Sequence, residues 1–150
     1  MKEESIFNFK MLPEGIATSG QPTENELFQI AEDGYEVVIN LGLSDAEYSV
    51  SNEEQILQSM GIKYIHIPVE FGSPKIEEYQ EFVSVLNKNK KSKVLVHCAA
   101  NKRVSAFIAI YRILSLGWEK EKAIRELERI WKPNKIWESF IEEQLTRCSY

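Results

Sequence analysis

The most informative stretch of the chain is KVLVHCAANKRVSAF, residues 93–107. Its first part, residues 94–96, is a short β-branched apolar run of the kind that forms a buried strand. A helical pattern begins shortly after Cys98, so the cysteine is predicted to lie on the turn between a strand and a helix. The first turn of a helix leaves its backbone N–H groups without intrahelical acceptors. These groups and the helix dipole predict a site for an anion beside Cys98.

The side chains around Cys98 support the same prediction. The field of a helix N-terminus favours a thiolate over a thiol, which makes a cysteine more nucleophilic. Asn101 suits a tight cradle because asparagine tolerates the left-handed conformation better than most residues other than glycine. The alternative interpretation is that Cys98 is only a small apolar residue at the end of a core strand. We favour the functional interpretation because His97, Asn101, Arg103 and Ser105 all lie in the same short stretch.

Composition restricts the classes of protein to consider. The chain has 150 residues, of which 27% are charged and 43% are hydrophobic, as in a globular protein with one core. It contains no repeat, low-complexity segment or linker, so residues 1–150 are expected to form a single domain. The formal net charge of −5 argues against a nucleic-acid partner.

No apolar run approaches the roughly 20 residues that span a bilayer, so no membrane partner is expected. The N-terminal residues also lack the apolar segment of a secretory signal. The sequence has two cysteines, Cys98 and Cys148, and both are expected to be free thiols in a cytoplasmic protein. The sequence shows no cluster of metal-ligating residues, so neither a metal nor another cofactor is predicted.

Short β-branched runs alternate with helical patterns along the first two thirds of the chain. The runs predict buried strands at residues 37–39, 64–67 and 94–96, with a weaker strand at residues 16–17. After residue 96 the apolar spacing is entirely helical. This order predicts an α/β fold in which a small, largely parallel central sheet is flanked by helices and followed by a C-terminal helical cluster.

Three helix starts are predicted from capping signals. Capping boxes occur at residues 23–26 and 51–54. The third start is Ser73-Pro74, an N-cap residue followed by proline at the first helical position.

Residues 97–105 resemble the signature of the cysteine-dependent protein phosphatases of the tyrosine and dual-specificity types, HCxxGxxR followed by Ser or Thr. His97, Cys98 and Ser105 match it position by position, and Asn101 stands in place of its glycine. Further resemblance, to bacterial phosphatase-like domains that begin with an "sGQP" turn, lies in TSGQP at 18–22, VINL at 38–41 and YIHIPV at 64–69. The family implies a protein-phosphatase-like fold and, as substrate, a phosphorylated protein or a small-molecule phosphate ester.

The resemblance also implies a mechanism with a phosphocysteine intermediate. In this family the thiolate attacks phosphorus, while backbone N–H groups and an arginine hold the equatorial oxygens. Cys98 would be the nucleophile and Arg103 the arginine. His97 would hydrogen-bond to nearby backbone and fix the loop, and Ser105 would donate to the thiolate and ease breakdown of the intermediate. The phosphate-binding loop would comprise Ala99, Ala100, Asn101, Lys102 and Val104.

The family also requires a carboxylic acid that protonates the leaving oxygen and then activates water. The resemblance places this acid in the loop after the strand at residues 64–67, where Glu70 occurs instead of the usual aspartate. The alternative interpretation of Glu70 is a solvated loop carboxylate. Asp45 and Glu47, in the loop after the strand at residues 37–39, are the next candidates.

The arginine is out of register with the family signature. Val104 occupies its position and Arg103 precedes it, which gives HCxxNxRxS. A shift of one residue turns a helical side chain by about 100°. Arg103 is therefore expected either to point away from the cradle or to reach the anion from another angle. The spacing from Cys98 to Arg103 also resembles that of rhodanese-type sulfurtransferases, although Ser105 keeps the phosphatase spacing.

Three hypotheses about function follow from these features. The first is a phosphatase that acts on phosphate monoesters, with full or reduced activity. The second is a pseudophosphatase that binds phosphorylated or other anionic ligands without turnover. The third is a rhodanese-like sulfurtransferase. We favour the first, and no pattern in the sequence predicts an oligomeric state.

Overall fold

A computed structural model describes residues 6–147 of the chain, which form five strands and six helices. The strands are β1 (Lys10–Met11), β2 (Ile16–Ser19), β3 (Val37–Asn40), β4 (Lys63–His66) and β5 (Val94–His97). The helices are α1 (Glu24–Glu32), α2 (Glu53–Ser59), α3 (Ile76–Lys88), α4 (Lys102–Leu114), α5 (Lys120–Glu128) and α6 (Lys135–Arg147). Cys98 is a free thiol, whereas Cys148 lies outside the described residues.

The strands form one sheet in the order β1-β2-β5-β3-β4. Strands β2, β5, β3 and β4 run parallel, and the two-residue β1 pairs antiparallel with β2. The register places Ser19, His97, Asn40 and His66 in one row at the carboxyl edge of the sheet. The loops that follow these four strands therefore leave the sheet side by side, with the loop after β5 between those of β2 and β3.

Both faces of the sheet are covered by helices. Val37 and Ile39 of β3 belong to a core that includes residues of α3, α4, α5 and α6. Val38 of the same strand belongs to a second core with residues of α1 and α2. Because successive side chains of a strand point to opposite faces, burial on both sides explains the continuous apolar runs. Strand β4 lies at the edge and is partly exposed.

Helix α4 is the central helix of the predicted C-terminal cluster. It is buried from Arg103 to Arg112 because it packs against the sheet, α5 and α6. Phe107 lies at its centre, in contact with rings from α3 and α6 such as those of Phe82 and Phe140. Within residues 6–147, no helix has the length and apolar character needed to cross a membrane.

The capping predictions for the first two helices have different outcomes. The box at Thr23 is confirmed: the Thr23 side chain accepts from Glu26 N–H, and the Glu26 carboxylate accepts from Thr23 N–H. The box predicted at residues 51–54 is wrong, since α2 begins at Glu53 and no side chain caps it. Glu54, the carboxylate of the predicted box, instead accepts from Gln58 Nε2 one turn later at 3.2 Å.

Helix α3 begins at Ile76, so the predicted start at Ser73-Pro74 is also wrong. Ser73 N–H instead closes a turn on the carbonyl of Glu70 at 3.1 Å. The first turn of α3 is stabilised by the Glu78 carboxylate, which accepts from Lys75 N–H at 2.9 Å. Strand β1 is a further difference from the prediction, because two residues are too few to show the alternation of a strand.

Candidate active site

Cys98 follows β5 directly and is completely buried at the carboxyl edge of the sheet. The turn after β2 packs against its loop. Gln21 N–H donates to the carbonyl of Ala99 at 3.0 Å, and Cys98 N–H donates to that of Ser19 at 3.4 Å. A Cβ atom on Gly20 would lie 2.6 Å from the Ala99 carbonyl oxygen, so this close approach requires glycine. The SGQP turn therefore supports the cysteine loop.

Asn101 ends the cysteine loop in the left-handed conformation that the sequence predicted, with φ of 65°. Its side chain is buried and donates to the carbonyl of Asn8 at 2.9 Å and to Thr18 Oγ1 at 3.0 Å. Asn8 in turn donates through Nδ2 to the carbonyl of Ala100 at 3.1 Å. Asn101 thus does more than replace glycine, because it also joins the loop to β2 and to the N-terminal segment.

Most backbone N–H groups of the loop have no partner in the fold. Within residues 6–147, those of Ala99, Ala100, Lys102, Arg103 and Val104 make no hydrogen bond. The last three belong to the first turn of α4, where N–H groups lack intrahelical acceptors. Helix α4 begins here, so its dipole adds to the field of these donors. The loop can therefore offer several donors to an anion beside Cys98.

Arg103 is buried and points across the carboxyl edge of the sheet rather than into solvent; it is 5% exposed. Nη1 donates to the carbonyl of Val69 at 2.8 Å, and Nη2 lies 3.4 Å from the hydroxyl of Tyr48. The guanidinium also lies near the Phe71 ring. Its Nε–H is buried without a partner among the described residues. The contacts with Val69 and Tyr48 hold the guanidinium among the loops after β4 and β3, and its reach to an anion in the cradle stays a prediction.

Val104 is completely buried and belongs to the core shared by the sheet, α3 and α6. It occupies the position of the arginine in the family signature. The backbone N–H of Val104 is available to the loop, but its side chain supports packing only. A charged side chain at this position would have to displace core residues.

Lys102 is exposed at the start of α4, and its ammonium lies over two aromatic rings. The distances from Nζ to the ring centroids are 5.9 Å for Phe71 and 5.5 Å for Trp131, within the range of cation–π interactions. Together with Arg103 between Tyr48 and Phe71, this arrangement places two cations among three aromatic rings.

His97 and Glu53 form a buried pair directly behind the cysteine. His97 Nε2 lies 2.5 Å from Glu53 Oε2, and both side chains are almost completely buried. Gln21 Nε2 donates to the other carboxylate oxygen at 2.9 Å. Burial raises the pKa of Glu53, but attraction to His97, hydrogen bonds from His97 and Gln21, and attraction to His66 together hold it below the ordinary value of 4.5. Glu53 is therefore an ionised carboxylate at neutral pH.

The hydrogen bond to nearby backbone that was predicted for His97 corresponds to the weaker of its two contacts. Nδ1 lies 3.5 Å from the carbonyl oxygen of Cys98, at the long limit for a hydrogen bond. Its principal partner is Glu53, for which the sequence predicts only a place at a helix start. The pairing spans 44 positions of sequence, so no local pattern indicates it.

Glu70 is exposed in the loop between β4 and α3. The backbone of this loop is held on both sides of Glu70. Val69 N–H donates to the carbonyl of Leu41 at 3.0 Å and its carbonyl accepts from Arg103, while the Phe71 carbonyl accepts from Trp137 Nε1 at 2.8 Å. The contact with Arg103 thus joins the loop that carries Glu70 to the loop that follows Cys98. The alternative acids, Asp45 and Glu47, are exposed in the loop after β3.

Ser105 is buried and has partners other than the Cys98 thiol. Its hydroxyl donates to the carbonyl of Lys102 at 3.0 Å and accepts from Trp131 Nε1 at 3.1 Å. These bonds hold the first turn of α4 against the segment after α5. Donation from Ser105 to a thiolate would require the hydroxyl to rotate away from Lys102, so this predicted role stays a prediction.

A buried cysteine followed by a donor-rich loop and a helix, at the carboxyl edge of a parallel sheet, agrees with the class that residues 97–105 resemble, the phosphatases of the tyrosine and dual-specificity types. A family within this class, PTP-NADK, described as "DSP-PTPase phosphatase fused to NAD+ Kinase", matches residues 13–141. The chain belongs to this family. The match favours the phosphatase hypothesis over the sulfurtransferase hypothesis.

Solved structures share the fold over nearly the whole chain. A candidate phosphatase (DUF442) from Shewanella putrefaciens CN-32 is 26% identical, with a TM-score of 0.83 and coverage of 98% of this chain and 97% of that chain. The core catalytic domain of the PP-IP phosphatase SIW14 from S. cerevisiae, in complex with citrate, is 20% identical, with a TM-score of 0.73 and coverage of 92% and 87%.

Kinase associated phosphatase, with its catalytic-site cysteine replaced by serine, is 17% identical, with a TM-score of 0.80 and coverage of 98% and 99%. At these identities, the last two structures show a common fold. No curated protein matches the chain significantly.

Proposed function

We propose that the chain hydrolyses phosphate monoesters through a phosphocysteine intermediate on Cys98. The observation that carries the proposal is that the backbone N–H groups of Ala99, Ala100, Lys102, Arg103 and Val104 have no hydrogen-bond partner within residues 6–147. Donors of this kind stabilise the charge on the oxygens of a transferring phosphoryl group. Membership of a family of dual-specificity phosphatases supports the same reaction.

The proposed reaction has two steps. In the first, the Cys98 thiolate attacks phosphorus, the S–P bond forms, the ester P–O bond breaks, and Glu70 gives its proton to the leaving oxygen. In the second, the Glu70 carboxylate takes a proton from water as the water oxygen attacks phosphorus. The S–P bond then breaks, which releases phosphate and restores the thiolate.

Arg103 is the proposed clamp for the phosphoryl oxygens, although it lies one position before the family's arginine. Its guanidinium is held at the carboxyl edge by Val69, and its Nε–H has no partner in the part of the chain that the structure describes. A planar guanidinium can bind two oxygens at once. The same side chain would hold the Glu70 loop and the phosphoryl group together. As substrate we propose a phosphorylated protein or a small-molecule phosphate ester.

Turnover of an activated aryl phosphate, such as p-nitrophenyl phosphate, tests the proposal. The parent and the Cys148→Ser variant should both release the phenol, and Cys98→Ser should release none above background. Turnover that survives in Cys98→Ser would contradict the mechanism. Absence of turnover in a parent that binds phosphate would support the pseudophosphatase hypothesis, and transfer of sulfur from thiosulfate to cyanide would support a sulfurtransferase.

Binding of inorganic anions provides a second measurement. Phosphate, sulfate or vanadate should slow the alkylation of Cys98 and raise the Tm, because a ligand that binds only the folded state stabilises it. The measurement uses the Cys148→Ser background, so that Cys98 is the only reactive thiol. If millimolar anions change neither quantity, the loop does not bind oxyanions.

A further inference from the structure

A cleft of about 250 Å³ lies between α4, α5 and the turn that joins β1 to β2. Its apolar lining includes Ile108 of α4, Leu127 of α5 and Leu12 of the turn. None of residues 98–104 lines it, so the cleft is separate from the loop that is proposed to hold the phosphoryl group. An apolar cavity of about 150 Å³ takes up benzene, so this cleft has room for a ring that carries a substituent.

Helix α4 gives the cleft two different ends. Ser105, Ala109 and Arg112 all line it, and their spacing of four and three residues places them on one face of the helix. Ser105 and Arg112 are seven positions apart, which corresponds to about 10 Å along the helix axis. The cleft is therefore elongated, with a hydroxyl group at one end, an apolar middle and a cation at the other end.

Arg112 at the cationic end is fixed by two neighbours and keeps one nitrogen free. The residue is 5% exposed. Its Nε and Nη2 each donate to the Glu14 carboxylate at 3.0 Å, and its Cζ lies 4.1 Å from the centroid of the Trp118 ring. Nη1 makes no hydrogen bond within residues 6–147, yet it is not shut off from solvent. Arg112 thus offers a preorganised donor to a molecule in the cleft.

The charges around the cleft indicate which class of molecule fits it. The charged side chains in its lining are Lys10, Arg112, Glu126 and Arg129. Glu126 lies 3.8 Å from Arg129, and Glu14 is paired with Arg112. Lys10 is exposed and leaves a surplus of one positive charge. A carboxylate balances this charge and suits a guanidinium donor, whereas a doubly charged phosphate would bring an uncompensated charge into a partly apolar cleft.

We propose that this cleft binds a small amphipathic carboxylate. The carboxylate oxygens accept from Nη1 of Arg112, and the apolar body of the ligand lies against Ile108 and Leu127. The ligand contacts none of the groups that are proposed to act on phosphorus at Cys98. The site is therefore independent of the proposed function and can be tested without a measurement of turnover.

Titration of the full chain with 4-methylbenzoate tests the proposal, with the indole N–H signals of the three tryptophans followed by NMR. Trp118 lines the cleft. Trp131 donates to Ser105 at one end of it, and Trp137 donates to the carbonyl of Phe71. The Trp118 signal should shift and saturate. The amide 4-methylbenzamide has the same shape without the charge and should bind about tenfold more weakly, because it loses a charge-assisted hydrogen bond.

Two variants locate the ligand within the cleft. Arg112→Met removes the donor nitrogen and should weaken 4-methylbenzoate binding about tenfold, while the affinity for 4-methylbenzamide stays the same. Arg125→Met is the matched control, since it removes an exposed arginine of α5 that does not line the cleft. Ala109→Leu fills the apolar middle and should abolish the binding of both compounds. This variant and the comparison of the two compounds decide the matter if Arg112→Met does not fold.

The outcomes distinguish this site from the cysteine loop. Equal affinities of the two compounds, or a saturable shift of Trp118 that persists in Ala109→Leu, would overturn the proposal. A shift confined to Trp131 and Trp137 would place the carboxylate beside the cysteine loop and would overturn it as well. An unchanged Trp118 signal in a protein whose Cys98 is protected by phosphate would remove the proposed cleft site and leave the proposed function intact.

Discussion

Two adjacent residues, Arg103 and Val104, have opposite environments although both are buried. Arg103 donates to the Val69 carbonyl at the carboxyl edge, and the Tyr48 and Phe71 rings lie beside its guanidinium. Val104 faces the apolar core. On a helix, consecutive side chains differ in direction by about 100°, so only one of the two can point toward the loops of the sheet edge.

Arg103→Ala should lower the turnover of an aryl phosphate by about a hundredfold or more, because a donor set that binds the transition state is lost. Arg103→Lys should recover little of this loss, since a lysine lacks the planar fork. The measurement is single-turnover release of the phenol, with Cys98→Ser as the blank. Parental turnover in Arg103→Ala would contradict the proposed clamp.

Val104→Arg should not restore or increase activity. It should lower the free energy of unfolding by at least about 3 kcal/mol, because it places an unpaired charge in the apolar core. Val104→Ala is the control for the loss of packing alone and should cost less. Urea denaturation measures both values, and a stable Val104→Arg with raised turnover would show that the helix can present the arginine from the family's usual position.

Asn101 combines a backbone requirement with two buried hydrogen bonds, and substitutions can separate them. Asn101→Gly keeps the left-handed conformation and should lose about 1–3 kcal/mol of the free energy of unfolding through the missing bonds. Asn101→Ala should lose about 1–2 kcal/mol more, because its Cβ disfavours that conformation. Urea denaturation measures both losses. Equal losses would show that alanine adopts the left-handed conformation at position 101 at no cost in free energy.

The loop between β4 and α3 carries Glu70, the proposed general acid. Its backbone is fixed by bonds from Arg103 at Val69 and from Trp137 at Phe71, with Glu70 between these two anchors. An exposed carboxyl group on a fixed backbone remains in proton exchange with solvent. This arrangement suits a group that must first give and then take a proton.

Glu70→Gln should slow the hydrolysis of an alkyl or tyrosyl phosphate far more than that of p-nitrophenyl phosphate. A poor leaving group needs a proton in the transition state, whereas a nitrophenolate leaves without one. The ratio of kcat/KM for the two substrates is the measurement, and Glu77→Gln on α3 is a control at an exposed carboxylate. Equal effects on both substrates would remove Glu70 from this role, and Asp45 and Glu47 would be tested next.

The molecule as a whole brings the site together at one edge of its sheet. The loops after β2, β5, β3 and β4 begin from residues in register. Residues of the loops after β2, β3 and β4 contact Ala99 or Arg103, which follow Cys98. In parallel α/β sheets the carboxyl ends of the strands are the usual place for a binding site. The buried Glu53 carboxylate also lies at this edge, so its ionisation is expected to affect the free energy of unfolding.

Acid should destabilise the protein partly through Glu53. The folded state holds the pKa of Glu53 below its ordinary value of 4.5, so the ionised carboxylate adds stability that is fully present above that value. This stability is lost as the pH falls through the lower, folded-state pKa. The difference in free energy of unfolding between the parent and Glu53→Gln should therefore shrink as the pH falls below 4.5. Urea denaturation from pH 7 to pH 3 measures it, and a difference independent of pH would contradict the assignment.

Local features of the fold could be predicted from the sequence. The β-branched runs predicted three of the four parallel strands, and a weaker signal at residues 16–17 predicted the fourth. The apolar spacing predicted the helical cluster, and Asn101 predicted a left-handed residue before α4. These predictions succeed because strand period, helix period and turn conformation depend on residues within a few positions of one another. Ser73-Pro74 and residues 51–54 show the limit, since tertiary contacts determined where those helices begin.

The partners of the buried polar side chains were decided by the tertiary structure alone. The sequence placed Cys98 at a strand-to-helix junction with basic residues after it, but it left the direction of Arg103 open and gave no sign of the pairing of Glu53 with His97. These contacts join residues 34 and 44 positions apart. They exist because β5 lies between β2 and β3 and β4 pairs with β3, which brings distant loops to one edge, where each buried charge must find a partner.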